Sequence, residues 1–278
     1  MRDLNDRVAV IVGGGGGIGR AVAVNLASKG CHIALADINE TALAESVAAI
    51  GDTSIKVTTH PLDVTSAEGV AAFKDEVVEQ HGKVNILINC AGITLQKRFE
   101  THRLEDWEWA INLNLWGTLH TCREFLPELK KTNGDAHLMN ISSMTGFVGL
   151  PNQTSYCATK GAIKGLTEAL WGELKADGIG VTVVHPGAIK TDMIKATLEH
   201  SDDVEWAKRN FEMVQKIGTD VDYAAAKMVK AIIKNNARIR IGKDAVIFDL
   251  LTRLMPTSVT RLITWAEAKE NAKRAKGA

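Results

Sequence analysis

Seven short apolar runs rich in β-branched residues punctuate this chain, at 8–12, 33–36, 55–59, 84–89, 137–141, 181–184 and 238–241. Most are continuous rather than alternating in polarity, the pattern of strands buried on both faces of a parallel sheet. Between them lie segments with helical spacing, among them 20–29, 41–49, 67–81 and 155–176, which suit right-handed crossovers. The pattern predicts an α/β fold: a doubly wound, Rossmann-type domain with a seven-stranded, mostly parallel sheet flanked by helices. No repeat, low-complexity linker or shift in composition divides the 278 residues, so 1–278 is expected to form one domain.

Charge narrows the function classes. Lys plus Arg and Asp plus Glu both total 33, so the formal net charge is zero and a general attraction to nucleic acid or an anionic membrane has no support. Small neutral or mildly charged ligands fit better. The first seven residues lack the apolar stretch of a signal peptide, and no later segment has the roughly eighteen uninterrupted apolar residues of a membrane span. A soluble, cytoplasmic protein without a transmembrane segment is expected. Cys31, Cys90, Cys122 and Cys157 form none of the close pairs used by zinc or redox motifs, so they are read as reduced thiols and no metal site is expected. Cys157 adjoins Tyr156, yet no nearby His offers a partner for a catalytic thiol.

The run Gly13-Gly14-Gly15-Gly16-Gly17-Ile18-Gly19 follows the first strand and opens a helix at Arg20. Glycines let a backbone turn sharply and approach a pyrophosphate without interference from Cβ, while free N–H groups at a helix start favour the anion. Asp37, at the end of the second strand, is a carboxylate placed to accept from ribose hydroxyls and to repel a 2′-phosphate, which predicts NAD rather than NADP. The same residue type also suits an N-cap for the following helix.

Tyr156-x-x-x-Lys160 has i,i+4 spacing, so on a helix both side chains face one cleft. A phenol titrates near ~10 and serves as a base at neutral pH only where a nearby cation favours its anion, and Lys160 could supply that charge. Taken alone, such a pair is common decoration on a helix.

Together these elements resemble the short-chain dehydrogenase/reductase family, from about residue 7 to 242. Its glycine motif falls on residues 12–19, its Asn-x-Ala-Gly element on Asn89-Cys90-Ala91-Gly92 and its helical Asn on Asn114. Its catalytic Ser falls on Ser143, thirteen residues before Tyr156, and its Tyr-x-x-x-Lys on Tyr156 and Lys160. Ser142 is a rival to Ser143, since adjacent strand residues face opposite sides of a sheet, and the spacing favours Ser143. Val12 replaces the Thr that usually opens the glycine motif, which removes a hydroxyl that braces the loop.

The resemblance implies that Tyr156 exchanges a proton with an alcohol or ketone oxygen as hydride passes to or from the nicotinamide. It implies that Lys160 lowers the Tyr156 pKa and bonds the ribose, that Ser143 holds the reacting oxygen, and that Asn114 anchors a water for proton relay. Asp63 and Val64 would meet the adenine, Asn89 and Gly92 would lie along the cofactor, and Pro186, Gly187, Ile189 and Thr191 would hold the carboxamide. Gly13, Gly17, Ile18, Gly19 and Asp37 complete the implied cofactor set. A homodimer or homotetramer built through the helix bearing the Tyr and its neighbour is also implied.

Two regions stand outside the strand–helix rhythm. Residues 189–218 carry Met193, Ile194, Leu198, Trp206, Phe211, Met213, Val214 and Ile217 among charges and are expected to form a helical substrate flap. Residues 245–278 form an extension whose 245–265 stretch is apolar at helical spacing, followed by a basic end, 269–276, expected to fray. Packing on its own domain or a sister subunit is the more ordinary use of that stretch, against a membrane surface. Leu95, Gln96, Met144, Leu150, Gln153 and Met193 are expected to line an apolar pocket, which points to a hydrophobic secondary alcohol or ketone of steroid, terpenoid or aryl-alkyl type. A 3-oxoacyl thioester reductase, its acidic carrier docked on Lys97 and Arg98, is the alternative. A non-catalytic NAD-binding sensor ranks lower, because a degenerate relative would most simply lose Tyr156 or Lys160.

Overall fold

Apolar runs become central strands only where both their faces are covered. The structure, a computed structural model, describes residues 3–52 and 54–277. Met1, Arg2, Thr53 and Ala278 lie outside the described residues, as do the side chains at 266, 267 and 270–277, and with them much of the basic end. Seven strands, β1 (Val8–Val12), β2 (His32–Asp37), β3 (Val57–Pro61), β4 (Ile86–Asn89), β5 (His137–Ile141), β6 (Gly180–Pro186) and β7 (Arg238–Ile241), make one sheet in the order β3-β2-β1-β4-β5-β6-β7. Every pairing among them is parallel, so "mostly parallel" becomes wholly parallel.

Ten α-helices are described: α1 (Gly17–Ala27), α2 (Glu40–Ile50), α3 (Ala67–His81), α4 (Leu104–Ala110), α5 (Gly117–Lys130), α6 (Thr154–Glu173), α7 (Val204–Ile217), α8 (Val221–Lys234), α9 (Lys243–Leu254) and α10 (Pro256–Gly277). A π-helical turn, Ile111–Trp116, joins α4 to α5. Alternate strand residues feed two cores. Ile11, Ile33, Leu35, Ile86 and Ile88 pack with Val22 and Leu26 of α1 and Met228 and Ile232 of α8. Val10, Ala34, Leu87 and Leu138 face the other way, onto Phe73 of α3 and Phe125 and Leu129 of α5. The Phe73 and Phe125 rings meet at a tilt, their centres 5.4 Å apart. The β1/β4 neighbourhood, where the chain reverses direction across the sheet, leaves a crevice at the C-terminal strand ends, the usual ligand position in such sheets.

Local chemistry accounts for the shifts from expectation. β3 begins at Val57 rather than 55 because Lys56 N donates to the His32 ring (2.9 Å) instead of the ladder. α1 begins at Gly17, so Gly17, Ile18 and Gly19 form its first turn. The single apolar helix expected over 245–265 is two, broken where Met255 leaves helical geometry and Pro256 opens α10. Helix α10 runs to Gly277.

Candidate active site

The glycine loop is built from the inside of β1 outward. Gly13 has φ +79°, and a Cβ there would lie 2.5 Å from Ala91 N; a Cβ on Gly19 would lie 2.1 Å from Gly13 O. These two positions admit only glycine, which brings the start of α1 down onto the loop. Gly16, the N-cap of α1, supplies no side-chain cap, and the first turn carries no acid, so the helix start suits an anion. The missing Val12 hydroxyl leaves the loop well braced. Gly13 N and Gly14 N donate to Ala36 O (2.8 and 2.9 Å), Ser46 Oγ donates to Gly14 O (2.8 Å), and Arg20 Nη2 donates to Gly15 O (3.1 Å). Neither Arg20 nor Ser46 was legible as a brace from sequence, since the contact joins residues 26 apart.

Asp37 Oδ2 accepts from Gly15 N (3.0 Å), and its Oδ1 accepts from Asn39 N (3.0 Å). The N-cap of α2 is Asn39, whose side chain accepts from Ala42 N, so Asp37 is free of that task. A carboxylate thus stands at the loop tip. The Arg20 guanidinium near it is paired with Glu45 at 2.7 Å. Loop, helix start and carboxylate fit a dinucleotide pyrophosphate and ribose.

Four side chains gather beyond β4 and β5. The Ser143 hydroxyl stands within reach of the Tyr156 hydroxyl and works to lower its pKa. Lys160, 2% exposed, donates from Nζ to Ile141 O (2.9 Å) and lies 5.6 Å from the Tyr156 ring centre. Asn114 Oδ1 accepts from Ile93 N (2.8 Å) while its Nδ2 donates to Ile93 O (3.0 Å) and Thr159 Oγ1 (3.1 Å). Its amide is thus a clamp between the post-β4 segment and α6. Ser142 turns the other way, donating from Oγ to Lys160 O (2.7 Å), so Ser143 is the serine in the cleft.

Burial sets the charges here. It pushes the Tyr156 phenol up to about 12 against a lowering contribution from Ser143, and it pulls Lys160 down to about 8. Desolvation of the phenolate is the largest influence on Tyr156, and Ser143 works against it. Burial likewise raises Cys157, and all four cysteines are free.

His185 is a member of the cluster that sequence reading missed. Fully buried, it bonds through Nδ1 to Ser143 O (2.9 Å), which also accepts from Gly146 N (3.0 Å), and Phe147 packs edge-on against its ring at 5.1 Å. Burial lowers His185 to about 4, so the ring is neutral at pH 7 and the carbonyl assigns its single proton to Nδ1. A His in an apolar strand carries no signal that marks such a role.

The remaining predicted cofactor residues divide. Gly92 belongs to the site: a Cβ there would lie 3.0 Å from Asn114 Oδ1 and 3.3 Å from Lys160 Nζ. Gly17 faces Thr191, whose Cγ2 a Cβ would approach to 3.0 Å, so the segment after β6 packs on the glycine loop. Pro186 ends β6, Gly187 N donates to Ile241 O (2.8 Å), and Asp244 Oδ2 accepts from Ala188 N (2.7 Å), fixing the turn. Ile189 is buried and bridges to Thr219. Asp63 is exposed, with Oδ1 turned onto Thr65, and Val64 is buried against Gly117. Asn89 ends β4. Its side chain is spent inside the core, donating to Asn140 Oδ1 (2.8 Å) and accepting from Thr121 Oγ1 (2.8 Å), because its β4 position points into the helix layer.

A groove of about 830 Å³ runs along the post-β4 segment, lined by Gln96, Arg98, Phe99, Asn152, Asp202 and Trp206 among others, with Thr264 of α10. Of the six expected pocket residues only Gln96 lines it. Leu95 is sealed in the interior, Gln153 bridges to Lys97, Leu150 N bonds Cys157 Sγ, and Met144 and Met193 are half-buried. Phe99, Pro151 and Trp206 give the groove an apolar wall, and Arg98, Glu100, Asp202 and Asp203 add charges to its lining.

Comparisons with known proteins bear on this arrangement. The short chain dehydrogenase family model matches residues 7–202. The Mycobacterium tuberculosis protein SadH, which carries an oxidoreductase name, is 35% identical over 272 residues, covering 97% of this chain and 98% of its own. A short-chain dehydrogenase/reductase from Burkholderia phymatum, solved with NAD, superposes with a TM-score of 0.84 at 28% identity, covering 91% of this chain and 95% of that one. Levodione reductase superposes with a TM-score of 0.77 at 27% identity, over 87% and 98%. Sequence match, fold and the layout of the cleft agree: the chain belongs to the short-chain dehydrogenase/reductase family of oxidoreductases.

Proposed function

We propose that the protein is an NAD-dependent oxidoreductase that interconverts a secondary alcohol with an apolar body and its ketone. The observation that carries this reading is the Ser143–Tyr156 hydroxyl pair beside the buried Lys160 ammonium. When bound, NAD supplies hydride transfer to or from the carbon bearing the reacting oxygen. Ser143 Oγ accepts from Thr145 N (3.2 Å), so its hydroxyl proton serves the Tyr156 oxygen and, with substrate bound, the reacting oxygen. Tyr156, held up at about 12, rests protonated and carries the proton that a ketone oxygen takes up, or that an alcohol returns. Lys160 Nζ, fixed on Ile141 O, keeps two protons for a ribose hydroxyl and the phenol oxygen. His185 and Asn114 hold the Ser143 turn and the post-β4 segment in register.

Asp37 supports NAD over NADP, since a 2′-phosphate would meet its carboxylate while the neighbouring Arg20 is already matched by Glu45. Residues 189–218 act as the flap. Thr197 Oγ1 donates to Thr94 O (2.6 Å), Ser201 Oγ donates to Gln96 O (3.0 Å), and Arg98 N donates to Asp202 Oδ2 (2.8 Å), pinning the flap to the post-β4 segment. The thioester-reductase alternative is weaker: Lys97 is paired with Asp106 at 2.7 Å and Arg98 with Glu100 at 2.8 Å, so neither cation waits for an acidic carrier. A homo-oligomer formed through α5 and α6 is part of this reading, supported by the exposed Trp116, which precedes α5, and Trp171 on α6.

The test follows reduced-nicotinamide absorbance with a panel of bulky secondary alcohols and ketones, offered with NAD and with NADP. Turnover with NAD, lost in Tyr156→Phe while cofactor binding persists, is expected. Equal efficiency with NADP removes the cofactor preference, and near-normal turnover by the Phe variant removes the assigned acid/base.

A further inference from the structure

Gln96 is buried to 4% exposure, yet neither its Nε2 nor its Oε1 has a hydrogen-bond partner. The hydroxyl of Thr94, two residues earlier and also buried, is in the same state. An amide shut away from water with both ends unpaired is costly, and native proteins keep few such groups. The backbone offers no relief. Gln96 O accepts from Ser201 Oγ (3.0 Å) and Asp202 N (3.3 Å), and Lys97 N donates to Asn152 O (2.9 Å), so the segment is gripped from both sides. Three residues upstream, Asn114 holds both the N–H and the C=O of Ile93, which ties the same segment to the catalytic cleft. Gln96 also lines the 830 Å³ groove.

We propose that Gln96 determines specificity by pairing with a second oxygen function on the substrate, a neutral hydroxyl carried apart from the reacting carbon. An amide offers donors and an acceptor side by side, and a hydroxyl both donates and accepts. A carboxylate accepts only, would leave Oε1 facing an acceptor, and would enter a groove whose rim holds Glu100, Asp202 and Asp203 against Arg98. The substrate class is thus a hydroxylated secondary alcohol or hydroxyketone rather than a wholly apolar one. The inference rests on the alcohol/ketone reading of the site.

Two readouts test it. In the protein alone, Gln96→Leu replaces an unpaired amide by an apolar group, and the melting temperature is expected to rise by about 2–4 °C. A fall shows that the amide has a partner without substrate, and overturns the proposal. With NADH and the pairs cyclohexanone and 4-hydroxycyclohexanone, and cyclohexanone and 2-hydroxycyclohexanone, the wild-type protein is expected to favour at least one hydroxyketone about tenfold or more in kcat/KM. That ratio is expected to fall to near one in Gln96→Leu. No preference in the wild type, or a preference that survives the substitution, overturns it. Failure of the underlying reading looks different: no ketone is reduced in a Tyr156-dependent way, while the melting shift and calorimetric titration with the same ketones still decide whether Gln96 binds the hydroxyl.

Discussion

Lys160 shows how one residue serves two opposed ends. Its ammonium is buried with a single hydrogen bond, to Ile141 O, and desolvation pulls it down to about 8. A group whose folded pKa is depressed leaves the unfolded chain holding more protons between the two values, so stability rises with pH across roughly 8 to 10.5, and as pH falls that gain is gone by about 8. Lys160→Met is therefore expected to abolish turnover yet raise unfolding free energy at pH 7 by roughly 2–4 kcal/mol, and to flatten the pH dependence between 8 and 10.5 in urea titrations. A destabilised variant at pH 7 contradicts the burial account. The spacing of Tyr156 and Lys160 was legible because a helix converts i,i+4 into proximity. Which of Ser142 and Ser143 faces the cleft was settled by contact, Ser142 being drawn to Lys160 O.

Between elements, polar side chains hold the layers at defined places. Asn89 on β4, Asn140 on β5, Thr121 on α5 and Thr167 on α6 form one buried chain of hydrogen bonds. Asn89→Ala strands its partners and is expected to cost about 1–3 kcal/mol in denaturant unfolding, with NAD affinity changed less than severalfold. A large loss of NAD affinity at unchanged stability supports the cofactor role expected from sequence instead. Asp249 on α9 is buried and bonded to Arg238 and Arg240 of β7 (2.7 and 2.8 Å) and to Arg253 (3.1 Å). Burial works to raise its pKa, but Arg238 and its companions outweigh that and lower it. Its stabilisation therefore persists above the ordinary carboxylate range and is lost as pH falls through its lowered pKa. Asp249→Asn is expected to cost about 1.5–3 kcal/mol at pH 7. The stretch 104–130 shows why elements go unseen: Asn114, Thr118 and Thr121 are buried polar residues, so the apolar period that marks a helix is diluted.

At the scale of the molecule, the site is assembled from β1, β4, β5, β6, α6 and the 189–218 segment, so ligand binding reports on all of them. NAD at about a hundred times its dissociation constant is expected to stabilise the fold by about 2.7 kcal/mol, and NADP at the same concentration by less, which thermal unfolding measures directly. Equal shifts remove the Asp37 argument. The alternation of apolar runs with helical spacing determined the parallel doubly wound sheet, because strands buried on both faces admit no other pattern. The glycine run, Asp37 and the Tyr-Lys pair were determined just as locally, since each depends on a few neighbouring residues. Tertiary structure alone decided the bracing of the glycine loop by Arg20 and Ser46, the grip of His185 on Ser143, the inward turn of Asn89 and the unpaired amide of Gln96. Each joins residues far apart in sequence or turns on which side of a strand a residue faces, and such contacts exist only once the layers have packed.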